Sequence, residues 1–291
     1  MSMYIQDIKE LRKVMAWRNV MDYMKKYDGY GDCFVAFIDI LGFKNYIINS
    51  NFDNANKLFV DIKRFADLLL KNPNGHFTEE QFNKVVVNII SDSIVISIPR
   101  NVDESLEILL LVVNTVIFNI MLNHDLTCRG GIADGAFCTK EGIAFGPALV
   151  EAYNLENTVA VYPRIVFTQN ICNMYRDISF GDLDRLSDLI ILDDTEYLYI
   201  VDYFGFAIRR IANDVFYNVM AAPYAEAIFR KISCTIKDNL AHSTDKRIRE
   251  KYIYLANYYN ESLSRIKKLG ELPFNCEPIT NLDLGQMGIF F

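Results

Sequence analysis

The spacing of apolar residues changes several times along the chain, and each change marks an element. Over residues 4–27, Ile5, Ile8, Leu11, Val14, Met15, Trp17, Val20, Met21 and Met24 recur near helical spacing with a wide apolar face. This predicts a helix that covers a core or a partner subunit, ended by Gly29 and Gly31. Residues 33–43 read C-F-V-A-F-I-D-I-L-G-F, apolar at seven of the first eight positions, which fits a strand buried on both faces. Asp39 is the exception in that run, and Gly42 marks a turn after it. An amphipathic helix is expected over 53–71, broken by N-P-N-G at 72–75, with a polar connector over 76–83. Residues 84–98 are strand-like on both sides of Ser91-Asp92-Ser93, which predicts a hairpin with Asp92 at its apex.

The second half continues in the same manner. A strongly apolar helix is expected over 103–124, then a strand over 127–137 whose glycines mark close packing or a bulge. A short strand at 143–145 leads to a helix over 147–157 that Pro147 opens, and a strand over 162–168 follows. Residues 190–204 read as a hairpin turning at D-D-T-E, residues 222–240 and 245–268 as helices, and the tail after Leu269 as loop. The order β-α-β-β-α-β-β-α-β predicts an α+β fold with a mainly antiparallel sheet. It divides the chain into an N-terminal helix (1–30), a central domain (31–205) and a helical C-terminal extension (206–291).

Composition narrows the function classes. A net charge of −7 over 291 residues, with no basic stripe, argues against a nucleic-acid partner. The six cysteines form no C-x-x-C pair, as reduced thiols of a cytoplasmic protein would be, and the three histidines lack zinc spacing. The start of the chain is too polar for a secretory signal. The longest uncharged run, 108–124, carries Asn114, Asn119 and Asn123 and falls short of the ~20 residues that span a bilayer. A buried core helix, with no membrane partner, is the expectation.

Candidate chemistry centres on two acids. A carboxylate in a buried run must be paired, hydrogen-bonded or cation-bound. Asp39 and Asp92 end or tip apolar strands separated by one helix, so neighbouring strands would aim both at one spot, a hard-oxygen pair suited to Mg²⁺ or Mn²⁺. Main-chain N–H groups around Leu41, Gly42, Phe43 and Lys44 would then be placed to cradle phosphates. The alternative is that both aspartates cap turns. Asp134, a third acid beside a glycine, reads as a turn residue.

Four segments in order, F-x-D-I-x-G-F at 37–43, D-S-I-V-I-S from Asp92, R-G-G-I-A-D-G at 129–135 and G-P-A-L-V-E-A-Y-N-L-E at 146–156, resemble class III nucleotidyl cyclases. The resemblance covers roughly residues 33–170. It implies a ferredoxin-like palm, a homodimer with active sites at its interface, and a nucleoside triphosphate substrate. Asp39, Asp92 and the Ile40 carbonyl would hold two Mg²⁺ or Mn²⁺ ions, and the ribose 3′-oxygen would attack the α-phosphate. Arg129 is implied chiefly as support for the site, and Lys44 either reaches the γ-phosphate or is solvated.

Three departures qualify this. The family's N-x-x-x-R falls on Val150 and Asn154, so the transition-state guanidinium is missing from its usual place. Arg164 is the candidate replacement, against the reading of an ordinary strand-end charge; Asn154 would contact ribose or base. The base-reading positions carry Asn88 and Ile143, neither of them the usual purine partner. An amide that both donates and accepts suits a pyrimidine edge. With the long helical C-terminus, this profile resembles the pyrimidine cyclases of bacterial anti-phage (Pycsar) defence, which make cyclic CMP or cyclic UMP for a separate effector. Two other readings stand beside it: a catalytically silent cyclase-fold domain that senses a nucleotide or dimerises, and a polymerase-like palm, against which the acidic charge counts.

Overall fold

The computed structural model describes residues 30–71, 77–140, 143–177, 186–193, 196, 198–270 and 272–280; the helix expected over 4–27 lies outside them. Strand β1 (Gly31–Leu41) runs through the middle of an eight-stranded sheet. It pairs antiparallel with β3 (Ser93–Pro99) on one side and β4 (Thr127–Lys140) on the other. Strand β2 (Val86–Ile90) pairs antiparallel with β3 across a two-residue turn, where Ser91 adopts φ 57°. Between these strands the chain makes helices α1 (Phe43–Asn49), α2 (Phe52–Lys71), the single turn α3 (Glu79–Phe82) and α4 (Ser105–His124). The path β1-helix-β2-β3-helix-β4 with sheet order β2-β3-β1-β4 is the split β-α-β arrangement. The fold is ferredoxin-like.

Beyond β4 the sheet is extended. Strand β5 (Ile143–Phe145) folds back on the end of β4, and helix α5 (Pro147–Thr158) crosses the sheet to reach β6 (Ile165–Phe167), parallel to β4. Helix α6 (Gln169–Asp177) follows, and β7 (Ile190–Asp193) and β8 (Leu198–Val201) complete the sheet. The C-terminal helices are α7 (Tyr203–Tyr217), α8 (Ala222–His242) and α9 (Lys246–Lys268).

Several elements differ from expectation for local reasons. The connector at 76–83 contains α3 because Thr78 and Gln81 cap each other reciprocally. The strand expected over 162–168 shrinks to Ile165–Phe167, since Pro163 has no N–H for a ladder. The second strand of the 190–204 hairpin stops at Val201, because the Asp202 carboxylate accepts from the Gly205 N–H (3.1 Å) and starts α7. The boundary placed near residue 205 therefore falls in the first turn of a helix.

Alternation along β1 builds two layers. Phe34, Ala36, Ile38 and Ile40 face the main core, while Cys33, Val35 and Phe37 face α5. The main core runs without a break from α2 (Leu58, Ile62) through α4 to Phe204, Phe229, Ile236, Leu255 and Tyr259 of the C-terminal helices. Helix α4 is apolar on all sides and mostly buried, so the one described helix long and apolar enough to cross a membrane is a core helix here. Its Asn114 and Asn119 amides donate back to the Leu110 and Thr115 carbonyls (2.8 and 2.7 Å), which lets asparagine sit in such a helix.

Candidate functional site

The sheet register puts Asp39 directly opposite Ser93 on β3 and Arg129 on β4. Asp92 occupies the β2–β3 turn immediately before Ser93, and its carbonyl accepts from the Ile40 N–H at 2.9 Å. The two aspartates expected to converge are therefore neighbours at one edge of the palm, both half-exposed. At the same edge, Gly42 turns the chain with φ 83°, and the Ile40 side chain is buried in the core. Helix α1 starts there without a side-chain cap, so the early N–H groups of Phe43 and Lys44 have no capping partner. Lys44 is exposed, Leu41 and Phe43 are half-buried, and Phe43 packs edge-on against Phe59.

Arg129 bridges two acids. Its Nε lies 3.3 Å from Asp39 Oδ2, and its Nη2 lies 2.5 Å from Glu156 Oε1, an ion-pair contact without hydrogen-bond alignment. Glu156 reaches this point because α5 lies almost on the backbone of β4. A Cβ on Gly131 would stand 2.4 Å from the Ala152 carbonyl oxygen. Burial pushes the Asp39 carboxyl above its ordinary range; the hydrogen bond and charge of Arg129 pull it back, and the charge of Asp92 adds to the rise. Burial likewise raises Glu156, with Arg129 and Lys251 opposing and Asp39 and Asp92 reinforcing. Lys251, from α9, is pushed down by burial and by Arg129, while Asp39, Glu156 and Asp245 act in the other direction. Asp39 and Glu156 are thus joined through Arg129, with Asp92 on the adjoining turn.

The donor set suits a hard cation. Asp39 keeps Oδ1 clear of the Arg129 contact, and Asp92 sits on an accessible turn. Among the described residues no group of three or more His, Cys, Asp or Glu forms a metal cage. Two carboxylates with the remaining positions left to water and phosphate is how Mg²⁺ is commonly held.

The other expected residues scatter. Asn88 lies on the Asp39 face of the sheet, and its Nδ2 donates to Thr139 Oγ1 (3.1 Å). Ile143 is exposed on the hairpin that carries Thr139. Asn154 is exposed on α5, two residues and so half a helical turn from buried Glu156. Arg164 does not fit its expected role. Its side chain has no exposed surface, its guanidinium pairs with Asp193 (2.8 Å), Glu196 and the Val159 carbonyl, and it lies against Tyr162 and Tyr254. A guanidinium so enclosed joins β6 to β7 and α9, and is not presented to a dissolved triphosphate. The sequence pattern passed over two charged residues whose titration burial shifts. Glu156 was visible only as the end of a motif, and Lys251 could have been flagged as a lysine on the apolar stripe of α9.

No protein-family model matches the sequence, and no curated protein matches it. Among solved structures, the chain is similar to the adenylyl cyclase CyaB from P. aeruginosa, at 13% identity over 51% of this chain and 82% of that one, TM-score 0.38. A bacterial light-regulated adenylyl cyclase gives 14% identity over 68% and 64%, TM-score 0.37. The guanylate cyclase domain of RhGC from Catenaria anguillulae, in complex with GTP, gives 13% over 60% and 97%, TM-score 0.36. Likenesses this faint leave the site to rest on the chain's own topology and side chains.

Proposed function

We propose that this protein is a nucleotidyl cyclase. The ribose 3′-oxygen of a nucleoside triphosphate bonds to the α-phosphorus, the bond to the β-phosphate oxygen breaks, and a 3′,5′-cyclic nucleotide, pyrophosphate and a proton leave. One observation carries the reading: Asp39 and Asp92 meet at the edge of a ferredoxin-like sheet, beside the uncapped turn at Gly42. A pair of Mg²⁺ or Mn²⁺ ions held by Asp39, Asp92 and the Ile40 carbonyl would favour the 3′-alkoxide and offset triphosphate charge. Arg129 opposes the rise that burial imposes on the Asp39 carboxyl and holds it in place, and Glu156 holds Arg129. Leu41, Gly42, Phe43 and Lys44 line the approach to the phosphates.

For the base, Asn88 supports a pyrimidine, CTP or UTP: its amide is anchored at Thr139 and still offers an acceptor oxygen. Contacts of Ile143 with the base and of Asn154 with the ribose or base belong to the same proposal. Exposed Ile143, Phe145, Val150 and Tyr153 offer an apolar surface along β5 and α5 that a second copy would cover, in keeping with a homodimer. The product would act as a second messenger in anti-phage defence through a separate effector. The alternative is a catalytically silent cyclase-fold domain, since Arg164 is enclosed and neither Val150 nor Asn154 is a cation. Incubation with each of the four NTPs and Mn²⁺, followed by mass spectrometry, separates the two. Cyclic pyrimidine nucleotide with equimolar pyrophosphate is expected; no cyclic product from any NTP contradicts the proposal.

A further inference from the structure

Cyclisation loads negative charge onto the α-phosphate oxygens and the departing pyrophosphate, and fixed N–H donors aimed at that charge lower the barrier. Arg164 is enclosed, Val150 and Asn154 carry no charge, and Lys44 is an exposed side chain. Arg129 differs from all of these, because the β1–β4 register sets it directly across from Asp39. Its Nε lies 3.3 Å from Asp39 Oδ2, and the two side chains open to solvent to nearly the same degree, 23% and 21%. The cation and the acid are therefore presented together at one edge of the sheet.

The way Arg129 is held leaves part of it unused by these contacts. A guanidinium carries five N–H donors in a rigid planar fork, and Nε and Nη2 form one side of it. That side takes both acids, Asp39 at Nε and Glu156 at Nη2 (2.5 Å); neither contact uses Nη1. Glu156 is the firmer anchor: its side chain is 5% exposed, and it sits on α5, which Gly131 lets down onto β4. The Asp39 contact is the longer one, and a divalent ion on that carboxylate would offset the charge that draws Arg129 to it. Neighbouring ligands on an octahedral Mg²⁺ ion stand about 3 Å apart. A phosphate oxygen sharing an ion with Asp39 would thus lie about as far from that carboxylate as Arg129 Nε already does, within a side-chain rotation of the fork.

We infer that Arg129 is a catalytic residue. Pivoted on Glu156, its guanidinium donates to a non-bridging oxygen of the α-phosphate while the 3′-oxygen gives its proton to solvent and bonds to phosphorus, and the bond to the pyrophosphate oxygen breaks. This deepens the cyclase reading and rests on it. An arginine that only supported Asp39 would show its loss in metal binding; one that touches phosphate shows it in polyphosphate binding. The test uses the full chain, with Mn²⁺ alone followed by electron paramagnetic resonance and manganese tripolyphosphate, which carries no base, followed by calorimetry. The variant is Arg129→Met with Glu156→Gln, which leaves no buried charge of that pair without its partner. It should bind Mn²⁺ alone at least as tightly as wild type, because a cation beside Asp39 has gone. It should bind manganese tripolyphosphate about ten- to hundredfold more weakly, the loss of a charge-assisted hydrogen bond. In wild type, phenylglyoxal modification of Arg129, read by mass spectrometry, should slow when manganese tripolyphosphate is added, while exposed Arg247 reacts as before. Unchanged tripolyphosphate affinity in the variant, Mn²⁺ binding that weakens in parallel, or unslowed modification of Arg129 overturns the inference and leaves the cyclase reading standing. Absence of tripolyphosphate binding by wild type overturns both. Should the double variant fail to fold, the modification arm decides alone.

Discussion

At the scale of single residues, the site is a problem of holding charge near a dry sheet. Arg129 answers for two acids, so its loss is felt first at Glu156, which is almost wholly buried. Arg129→Met is expected to lower stability by about 2–3 kcal/mol at pH 8, the penalty for a buried charge left without its partner. The sign of the pH effect follows from the raised carboxyl. A folded value above the unfolded one contributes stability that is full below ordinary carboxylate pKa and lost as pH rises through the folded value. Without Arg129 that folded value rises further, Glu156 takes up a proton, and the deficit shrinks on acidification to pH 5. Thermal melts of both proteins at pH 8 and pH 5 check this, and an equal deficit at the two pH values contradicts it. That Asp39 and Asp92 stand side by side was legible in the sequence because acids stand out in apolar strands. Arg164 was misread because its partners, Asp193 and Glu196, lie about thirty residues on across a hairpin.

At the scale of elements, α5 sets the geometry by its contact with β4. Gly131 has no room for a side chain: its Cβ would also stand 2.6 Å from that of Leu155. Gly131→Ala should destabilise by about 1–3 kcal/mol, as overpacking does. It should also shift Glu156 and Arg129, so that turnover falls even where the protein remains folded. Denaturant unfolding paired with a turnover assay below the transition tests this; full activity in the folded variant contradicts it. The joint between α1, α2 and α4 is a second such contact, with His124 between Asp61 (3.1 Å) and Tyr46 (3.0 Å). Burial lowers His124 while Asp61 opposes the shift. Its contribution to stability is present above the unfolded value near 6.5 and is lost as pH falls through the lower folded value. His124→Gln should therefore flatten part of the loss of melting temperature between pH 7 and pH 5. Elements with strong period were read correctly, notably β1, the β2–β3 hairpin, α4 and α9. The short α1, α3 and α6 were not, because so few turns give too little periodicity to separate helix from loop, and the fifteen-residue α7 was passed over as well.

At the scale of the whole molecule, the C-terminal helices are part of the fold's core. Phe229, Ile232, Ile236 and Leu240 of α8 are all buried, and Phe229 packs against Phe118 of α4. Each such side chain is worth about 1.5–3 kcal/mol, so together they are comparable with a domain's entire net stability of about 5–15 kcal/mol. A chain ending at residue 205 should lack a cooperative thermal transition and bind a hydrophobic dye; a sharp transition with native-like near-UV dichroism contradicts this. Composition could not reveal the dependence, since α8 and α9 read as ordinary amphipathic helices whose partners lie far away in the chain. What the fold and the site share is the pairing of Asp39 with Asp92. The most direct test is Mn²⁺ binding, followed by electron paramagnetic resonance, in the presence of non-hydrolysable CTP and UTP analogues. Wild type should bind Mn²⁺ with one of these nucleotides. Asp39→Asn and Asp92→Asn should each bind it more weakly by more than about 100-fold, since even partners one shell further out cost 10–100-fold. Equal Mn²⁺ affinity in wild type and both variants would contradict the account.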